Sequence, residues 1–322
     1  MKQYELKNES LAKKKSHLLR NILLGFAGTV ILGIIIFFSV FFIIRFSNSR
    51  ISTKTLQKYW NSKDDNRYLL IIKDGKEILD SDPFNNTALI YYGYASFYTA
   101  VSQTDSALMQ SYLEECINSL RQALYSAKEK TKPQIFYMLG KAYFYKNRIS
   151  GNYYADLTVE YLNKALAFGY AADDIYEYLG MSYAALDMPT ESIAAFSQSL
   201  LTRESDNLLV SIAEQYMKTG QYNSSKQYLF RVIKSCENEA LREKSHIILG
   251  NIYLEEQNFT DAEKEFAEVL QINENSTDAH YGIGVIYEKQ GNLAKARSEW
   301  RATLKLQANH SGALKKLSEN KK

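Results

Sequence analysis

Apolar residues recur every three to four positions from about residue 52 onward, in segments of 11–17 residues separated by short polar turns. This spacing puts the apolar side chains on one face of a helix. No stretch shows the sustained period-two alternation of a half-buried strand. The pattern therefore predicts an all-α chain built from short helices joined by turns.

The helical segments also repeat at a nearly fixed interval. The segment His246–Tyr253 returns as His280–Tyr287, an offset of 34 residues. Weaker copies of the same segment are Leu89–Ser96, Phe136–Tyr143, Tyr176–Tyr183 and Leu209–Tyr216. Each copy is followed by a turn and a second helical segment, so the repeating unit is a helix–turn–helix pair.

Small and large residues alternate within each unit in a spaced code. The last two copies place Ala262 before Phe266 and Ala296 before Trp300 on their second helices. The small residue in each first helix is, in copies one to six, Gly93, Gly140, Gly180, Ala213, Gly250 and Gly284. An aromatic residue follows three positions later in copies two to six, as Tyr143, Tyr183, Tyr216, Tyr253 and Tyr287. We predict that these residues pack the repeats together.

This code resembles the tetratricopeptide repeat, a 34-residue helix–turn–helix unit with small residues where paired helices approach. The resemblance covers about residues 89–308 and implies a right-handed superhelical solenoid. It places six repeats over residues 86–308, preceded by a degenerate helical pair at 52–85 that caps the first repeat and followed by a C-terminal capping helix and tail at 309–322. A helical bundle without repeats is the alternative.

Residues 22–44 form 23 consecutive residues without a charge, after a basic tail at 1–21 and before a linker at 45–51. A helix of that length spans the roughly 30 Å hydrocarbon layer of a bilayer. We predict one retained transmembrane helix; a buried core helix and a cleaved signal peptide are the alternatives. Gly25, Thr29 and Gly33 form a small-residue stripe along it that suggests dimerisation.

Lys and Arg near the two ends of this segment suggest its orientation. Four of them cluster before it, at Lys13–Lys15 and Arg20, which favours a cytoplasmic N-terminus and an extracytoplasmic, for example periplasmic, repeat domain at the cell membrane. Outside residues 1–21, acidic and basic residues nearly balance, which argues against a nucleic-acid partner.

The resemblance also indicates which side chains line the concave face of the solenoid. The first copies supply an aromatic set, and the later copies supply smaller and more polar residues such as Asn251, Glu255 and Lys289. The predicted partner-binding residues are Ile90, Tyr94, Phe97, Tyr98, Tyr137, Lys141, Phe144, Tyr145, Met181 and Met217. The open alternative is that turn insertions or another part of the chain cover the aromatic set.

Residues with catalytic or metal-binding chemistry do not form a recognisable motif in the sequence. His246 and His280 share one repeat position, but a metal pair needs further ligands, and we interpret both as packing residues. We interpret Cys116 as a small buried apolar residue of a second helix, and Cys236 lies in a predicted connecting loop. We therefore expect neither an enzyme nor a cofactor or metal.

These features together predict a membrane-tethered scaffold or adaptor that binds a segment of another protein in its concave groove. Assembly, secretion and chaperone-like roles at the cell envelope all fit that layout. One alternative is a structural membrane protein that assembles with itself into a homo-oligomer such as a homodimer. The other is a carrier of a small apolar ligand.

Overall fold

The computed structural model describes residues 29, 31–42, 51–150 and 153–319. The described residues are helices joined by turns and contain no β-strand. The chain divides into two compact units, Met1–Ser96 and Phe97–Lys322. The division falls inside one helix, so each unit is described separately below.

In the first unit, a small core forms around three helices. They are α1 (Thr53–Trp60), α2 (Arg67–Ser81) and the first part of α3 (Asn86–Val101). The core residues contributed by these helices are Leu56, Ile71, Ile78, Ala88 and Ala95. Helix α1 and helix α2 lie where the degenerate helical pair was predicted.

The predicted transmembrane segment 22–44 lies partly outside the described residues. Thr29 and residues 31–42 are helical, and their side chains are exposed. Gly33 of the small-residue stripe has no atom within 4 Å of the position that a Cβ would take, while Gly25 lies outside the described residues. Among the described residues, no helix has the length and apolarity needed to cross a membrane.

The second unit is a stack of antiparallel helix pairs. After α3 come α4 (Ser106–Leu124) and a short 3-10 turn at Glu129–Thr131. The pairs that follow are α5 (Lys132–Ser150) with α6 (Ala155–Ala167), α7 (Ile175–Ala185) with α8 (Pro189–Leu200), α9 (Asp206–Lys218) with α10 (Tyr222–Ser235), α11 (Glu239–Glu255) with α12 (Phe259–Ile272), and α13 (Thr277–Lys289) with α14 (Leu293–Leu306). Helix α15 (Ser311–Glu319) packs on α14 and ends the stack.

Asn and Ser side chains start several of these helices. Asn238, Asn258 and Asn292 each accept a hydrogen bond from a backbone N–H in the first turn of α11, α12 and α14. Ser205 does the same for α9. Such caps satisfy N–H groups that have no partner inside the helix, which fixes where each helix begins.

Within each pair, the helices approach closely at the small residue of the first helix. A Cβ added to Gly284 would lie 2.4 Å from Nε1 of Trp300, whose side chain is fully buried on α14. Gly140, Gly180 and Gly250 face Leu162, Phe196 and Phe266 at similarly short distances. A side chain larger than hydrogen does not fit there, so these glycines set the spacing between paired helices.

The first two copies are longer than 34 residues, since the intervals from Gly93 to Gly140 and from Gly140 to Gly180 are 47 and 40 residues. In the second copy, α5 continues helically to Ser150, and α6 starts at Ala155. The insertion after Tyr98 is taken up by the 19-residue α4. The extra residues therefore extend helices, because a longer helix satisfies its own backbone hydrogen bonds.

Candidate functional site

The first helices of successive pairs form one wall of the second unit. Helices α5, α7, α9, α11 and α13 each contact the next in this series. Their side chains differ along the wall, with large aromatic residues at the α5–α7 end and smaller, polar ones at the α11–α13 end. The two ends are described in turn.

At the α5–α7 end, aromatic rings pack on one another in what we call the aromatic cluster. Its members are Phe97, Tyr137, Phe144, Tyr145 and Tyr178. The ring of Phe144 lies 4.7 Å from that of Tyr178, and Phe97 lies 5.7 Å from Tyr145. Phe97, Tyr137 and Phe144 are 2%, 8% and 7% exposed. These three rings therefore expose little surface to a ligand.

A polar triad lies among these rings. The Tyr137 hydroxyl donates to Asp174 Oδ1 at 2.5 Å, and Lys141 Nζ donates to Asp174 Oδ2 at 2.9 Å. Lys141 Nζ also lies 5.1 Å from the ring centres of Tyr137 and Tyr178, within cation–π range. Burial, and then the hydrogen bond to Asp174, raises the pKa of Tyr137. The triad joins α5 to the start of α7.

At the α11–α13 end the same wall opens into a groove of about 530 Å³. We call it the C-terminal groove. Apolar side chains of Met217, Leu254, Phe259 and Val285 line it, together with the ring of Tyr281. Its polar lining comes from Asn251, Glu255, Gln257, Lys289 and Lys316.

Four polar side chains of this groove have no partner within the described part of the chain. Asn251 and Gln257 make no side-chain hydrogen bond there, and Glu255 and Lys289 form no ion pair. By contrast, Lys316 of α15 pairs with Glu288 Oε2 at 2.5 Å. Helix α15 therefore closes one side of the groove through a fixed contact, while the other polar groups are available to a ligand.

The predicted concave residues have different environments. Met217 lines the C-terminal groove, and half-buried Met181 packs on the core around Phe196. Tyr98 is 37% exposed, and Lys141 and Tyr145 are half-buried. In the first unit, Ile90 is half-buried, and Tyr94 is 5% exposed with its ring 5.9 Å from Trp60.

The predicted repeat-packing residues lie between the helices. Gly93 is buried, and the fully buried members are Ala213, Ala262, Ala296, Phe266 and Trp300. The tyrosines reach the second helices: Tyr143 stacks on Tyr161, Tyr216 stacks on Tyr228, and Asn163 donates to the Tyr183 hydroxyl. Tyr253 and Tyr287 lie against Lys226 and Lys295.

Two repeated hydrogen bonds were not predicted from the sequence. His246 Nδ1 lies 2.6 Å from Glu265 Oε2, and His280 Nδ1 lies 2.7 Å from Glu299 Oε2. Both pairs join the two helices of one repeat, 19 residues apart, and that shared spacing was a visible signal. Within the described residues, no three His, Cys, Asp or Glu side chains are grouped to hold a metal ion.

A second recurrent bond occurs at the small position of the second helix. Ser192 Oγ donates to the Gly180 carbonyl at 2.8 Å, and Ser225 Oγ donates to the Ala213 carbonyl at 2.7 Å. Both serines are fully buried. Copies five and six have Ala262 and Ala296 at the equivalent position, so they lack this hydrogen bond and keep only the small side chain.

Comparison with known proteins supports this architecture. The sequence profile of the TPR repeat family matches residues 250–291, and no curated protein matches the chain. The apo quorum sensor NprR from B. thuringiensis is 17% identical, with a TM-score of 0.57 over 82% of this chain and 78% of its own. The C-terminal part of a TPR repeat-containing protein from Cytophaga hutchinsonii is 11% identical, with a TM-score of 0.56 over 83% of this chain and 99% of its own.

YrrB, a TPR protein with an unusual peptide-binding site, is 22% identical over 62% of this chain and 97% of its own, with a TM-score of 0.46. At these identities, structural likeness establishes the fold rather than a shared function. The chain is therefore an all-α helical solenoid with the tetratricopeptide-repeat fold, and residues 250–291 carry the sequence of that repeat.

Proposed function

We propose that this chain is a binding scaffold that holds a segment of another protein in its C-terminal groove. The observation that supports this most directly is the set of unpartnered polar groups, Asn251, Glu255 and Lys289, which line the groove together with apolar side chains. In the aromatic cluster, by contrast, the rings pack against other residues of the same chain. We therefore place the binding site at α11–α13 and not at α5–α7.

The chemistry of the groove suits a polypeptide. Burying one apolar side chain on Met217, Leu254 and Val285 contributes about 1.5–3 kcal/mol. The Asn251 amide can both donate to a backbone carbonyl and accept from a backbone N–H. Glu255 and Lys289 lie at the same position of adjacent repeats, so they can contact opposite charges on one segment.

Site-specific photo-crosslinking in the source cells tests this proposal. A photo-reactive residue in place of Lys289 is expected to crosslink to one defined segment of a partner, because this position borders the groove. The matched control carries it in place of Ala267, which is exposed on α12 outside the groove lining. A synthetic peptide of the crosslinked segment is then titrated against purified full-length protein.

Val285→Glu replaces an apolar lining residue by a charge and should weaken peptide binding at least tenfold, about 1.4 kcal/mol. Ala267→Glu adds the same charge elsewhere and should leave affinity unchanged. Crosslinks that are equally frequent from both positions, or a peptide that binds Val285→Glu as tightly as the wild type, would refute groove binding.

We further propose that residues 22–44 tether this scaffold to a membrane. The absence of charge over 23 residues supports the proposal, as do the exposed apolar side chains of residues 31–42, such as Phe37 at 66%. Full-length protein should remain in the membrane pellet after alkaline carbonate extraction. Replacing Ile34 and Phe38 by Lys should release the protein from the membrane. The control Leu201→Lys changes an exposed residue in the turn between α8 and α9 and should not release it.

Tethering raises the local concentration of scaffold and membrane-bound partner, so modest intrinsic affinity suffices. We propose a cytoplasmic N-terminus and an extracytoplasmic repeat domain, supported by the basic cluster at residues 13–20. Protease added to sealed spheroplasts should then digest the repeats. Full protection of the repeats, together with digestion after lysis, would reverse this orientation.

A further inference from the structure

The net charge of the chain reverses sharply between two neighbouring segments of the second unit. Residues 237–288 contain twelve acidic and three basic side chains, whereas residues 289–322 contain nine basic and two acidic ones. The first segment covers α11–α13, and the second covers α14 and α15. The small net charge of the whole chain does not reveal this separation of acidic and basic residues.

Topology brings part of both charge sets to one edge of the solenoid. Because paired helices are antiparallel, α11 and α13 begin at the edge where α12 and α14 end. Exposed acidic residues lie just before or within the first turn of α11 and α13, and exposed basic residues lie in the last two turns of α14. We call the set the charged edge: Glu237, Glu239, Glu274, Asp278, Arg301 and Lys305.

None of these six side chains forms an ion pair with another described residue. Some solvent-accessible charges elsewhere in the second unit do form ion pairs, such as Lys244 with Glu214 at 2.8 Å and Arg231 with Glu204 at 2.6 Å. Two further basic residues lie near the start of α11: Lys234 is exposed in the last turn of α10, and Arg242 is half-buried. The charged edge thus presents an acidic half followed by a basic half.

We propose that the charged edge binds a second copy of this chain in an antiparallel two-fold dimer. A two-fold axis sets the acidic half of one copy against the basic half of the other, twice over. An unrelated acidic partner accounts only for Arg301 and Lys305, and an unrelated basic partner accounts only for the acidic half. A second copy accounts for both with a surface that this chain contains.

Such a contact must depend on salt. All six side chains are exposed, and a Debye length of about 10 Å at 0.1 M screens exposed charges strongly. Electrostatic complementarity of this kind sets partner choice and register more than raw affinity. The dimer should therefore form at low ionic strength and dissociate as salt is added.

Variants in which the charges of one half are reversed test the proposal. Full-length protein in nanodiscs that hold one chain each, so that residues 22–44 cannot associate, is followed by sedimentation velocity. We expect dimers in 50 mM NaCl and at least a tenfold weaker association in 500 mM NaCl. Arg301→Glu with Lys305→Glu should be monomeric in 50 mM NaCl, and so should Glu274→Lys with Asp278→Lys.

An equimolar mixture of these two double variants should form a heterodimer, because every acidic half again meets a basic half. The matched control, Lys54→Glu with Lys58→Glu, makes the same charge change at exposed positions of α1 and should dimerise like the wild type. A wild type that is monomeric in 50 mM NaCl overturns the proposal. So does a dimer that both double variants still form, or a mixture that remains monomeric although circular dichroism shows folded variants.

Discussion

At the scale of single residues, the spacing between paired helices depends on the absence of a side chain. Gly284 lies against Trp300, and a methyl group added there would overlap the indole nitrogen at 2.4 Å. Trp300 is fully buried and has little freedom to move aside. The glycine is thus part of the core packing, although it has no side chain.

Gly284→Ala should destabilise the protein by roughly 1–3 kcal/mol, the typical cost of overpacking a dense core. Urea denaturation in a Trp60→Phe background, where Trp300 is the single tryptophan, measures the change by fluorescence. Ser298→Ala, exposed on α14, is the control and should stay within about 0.5 kcal/mol. An unchanged midpoint for Gly284→Ala would show that the helices can separate without cost.

Tyr137 gives a prediction for pH. Burial and Asp174 raise its pKa in the folded protein above the unfolded value of about 10. The folded state therefore holds the phenolic proton more tightly, so the stability contributed by Tyr137 is present below about pH 10 and is lost as pH rises above it.

Tyr137→Phe removes that ionisation together with one hydrogen bond to Asp174. It should cost about 1 kcal/mol at pH 8, the usual value of such a bond. The cost should shrink at about pH 10.5, because only the wild type is destabilised by ionisation of Tyr137. Urea denaturation of both proteins at the two pH values measures this difference in the free energy of unfolding. A difference that grows with pH would contradict the prediction.

At the scale of elements, α15 is held by several different contacts. Ala313 is fully buried against α14, Lys316 pairs with Glu288, and the Tyr281 ring lies 4.8 Å from His310. The helix both covers apolar surface of the last repeat and borders the C-terminal groove. A short terminal helix thus contributes to stability and to the site.

Deleting residues 311–322 should expose the last repeat to solvent. In a solenoid each repeat contacts only its neighbours, so the loss should remain local. Hydrogen exchange measured by mass spectrometry should show faster exchange in α13 and α14, with α5–α8 unchanged. Uniformly faster exchange throughout the second unit would contradict this nearest-neighbour behaviour.

The elements were largely predictable, whereas the site was predictable only in part. Recurring small residues such as Gly250 and Gly284 mark the helix pairs, because the close packing of the two helices excludes larger residues at these positions. The same code does not report whether Phe97 and Phe144 face a ligand or each other, which depends on how aromatic residues of neighbouring helices fill space. Their burial became visible only in three dimensions, as did the opening beside Asn251.

At the scale of the whole molecule, folding cooperativity follows from the repeat architecture. The two tryptophans report on different parts: Trp60 on the core of the first unit and Trp300 on the last repeat of the second. Stability in such stacks is a sum of local repeat and interface contributions, so different regions unfold at different denaturant concentrations.

Trp60→Phe leaves Trp300 as the single tryptophan and conserves an aromatic ring in the first core. In this variant the urea midpoint from Trp300 fluorescence should differ from the midpoint of far-ultraviolet circular dichroism, which averages over all helices. Coincident transitions with both probes would show that the entire chain unfolds as one cooperative unit.

The all-helical walls of the C-terminal groove restrict how anything can be recognised there. The main-chain amides of α11 and α13 form hydrogen bonds within their own helices, so they offer no free edge to which a β-strand could be added. A captured segment must therefore satisfy its own peptide groups, either by coiling into a helix or by keeping them hydrated, with Asn251 as the one amide side chain of the first helices placed to help. If the groove binds a segment as proposed, we expect short amphipathic sequences that fold into a helix on contact to bind more tightly than extended ones.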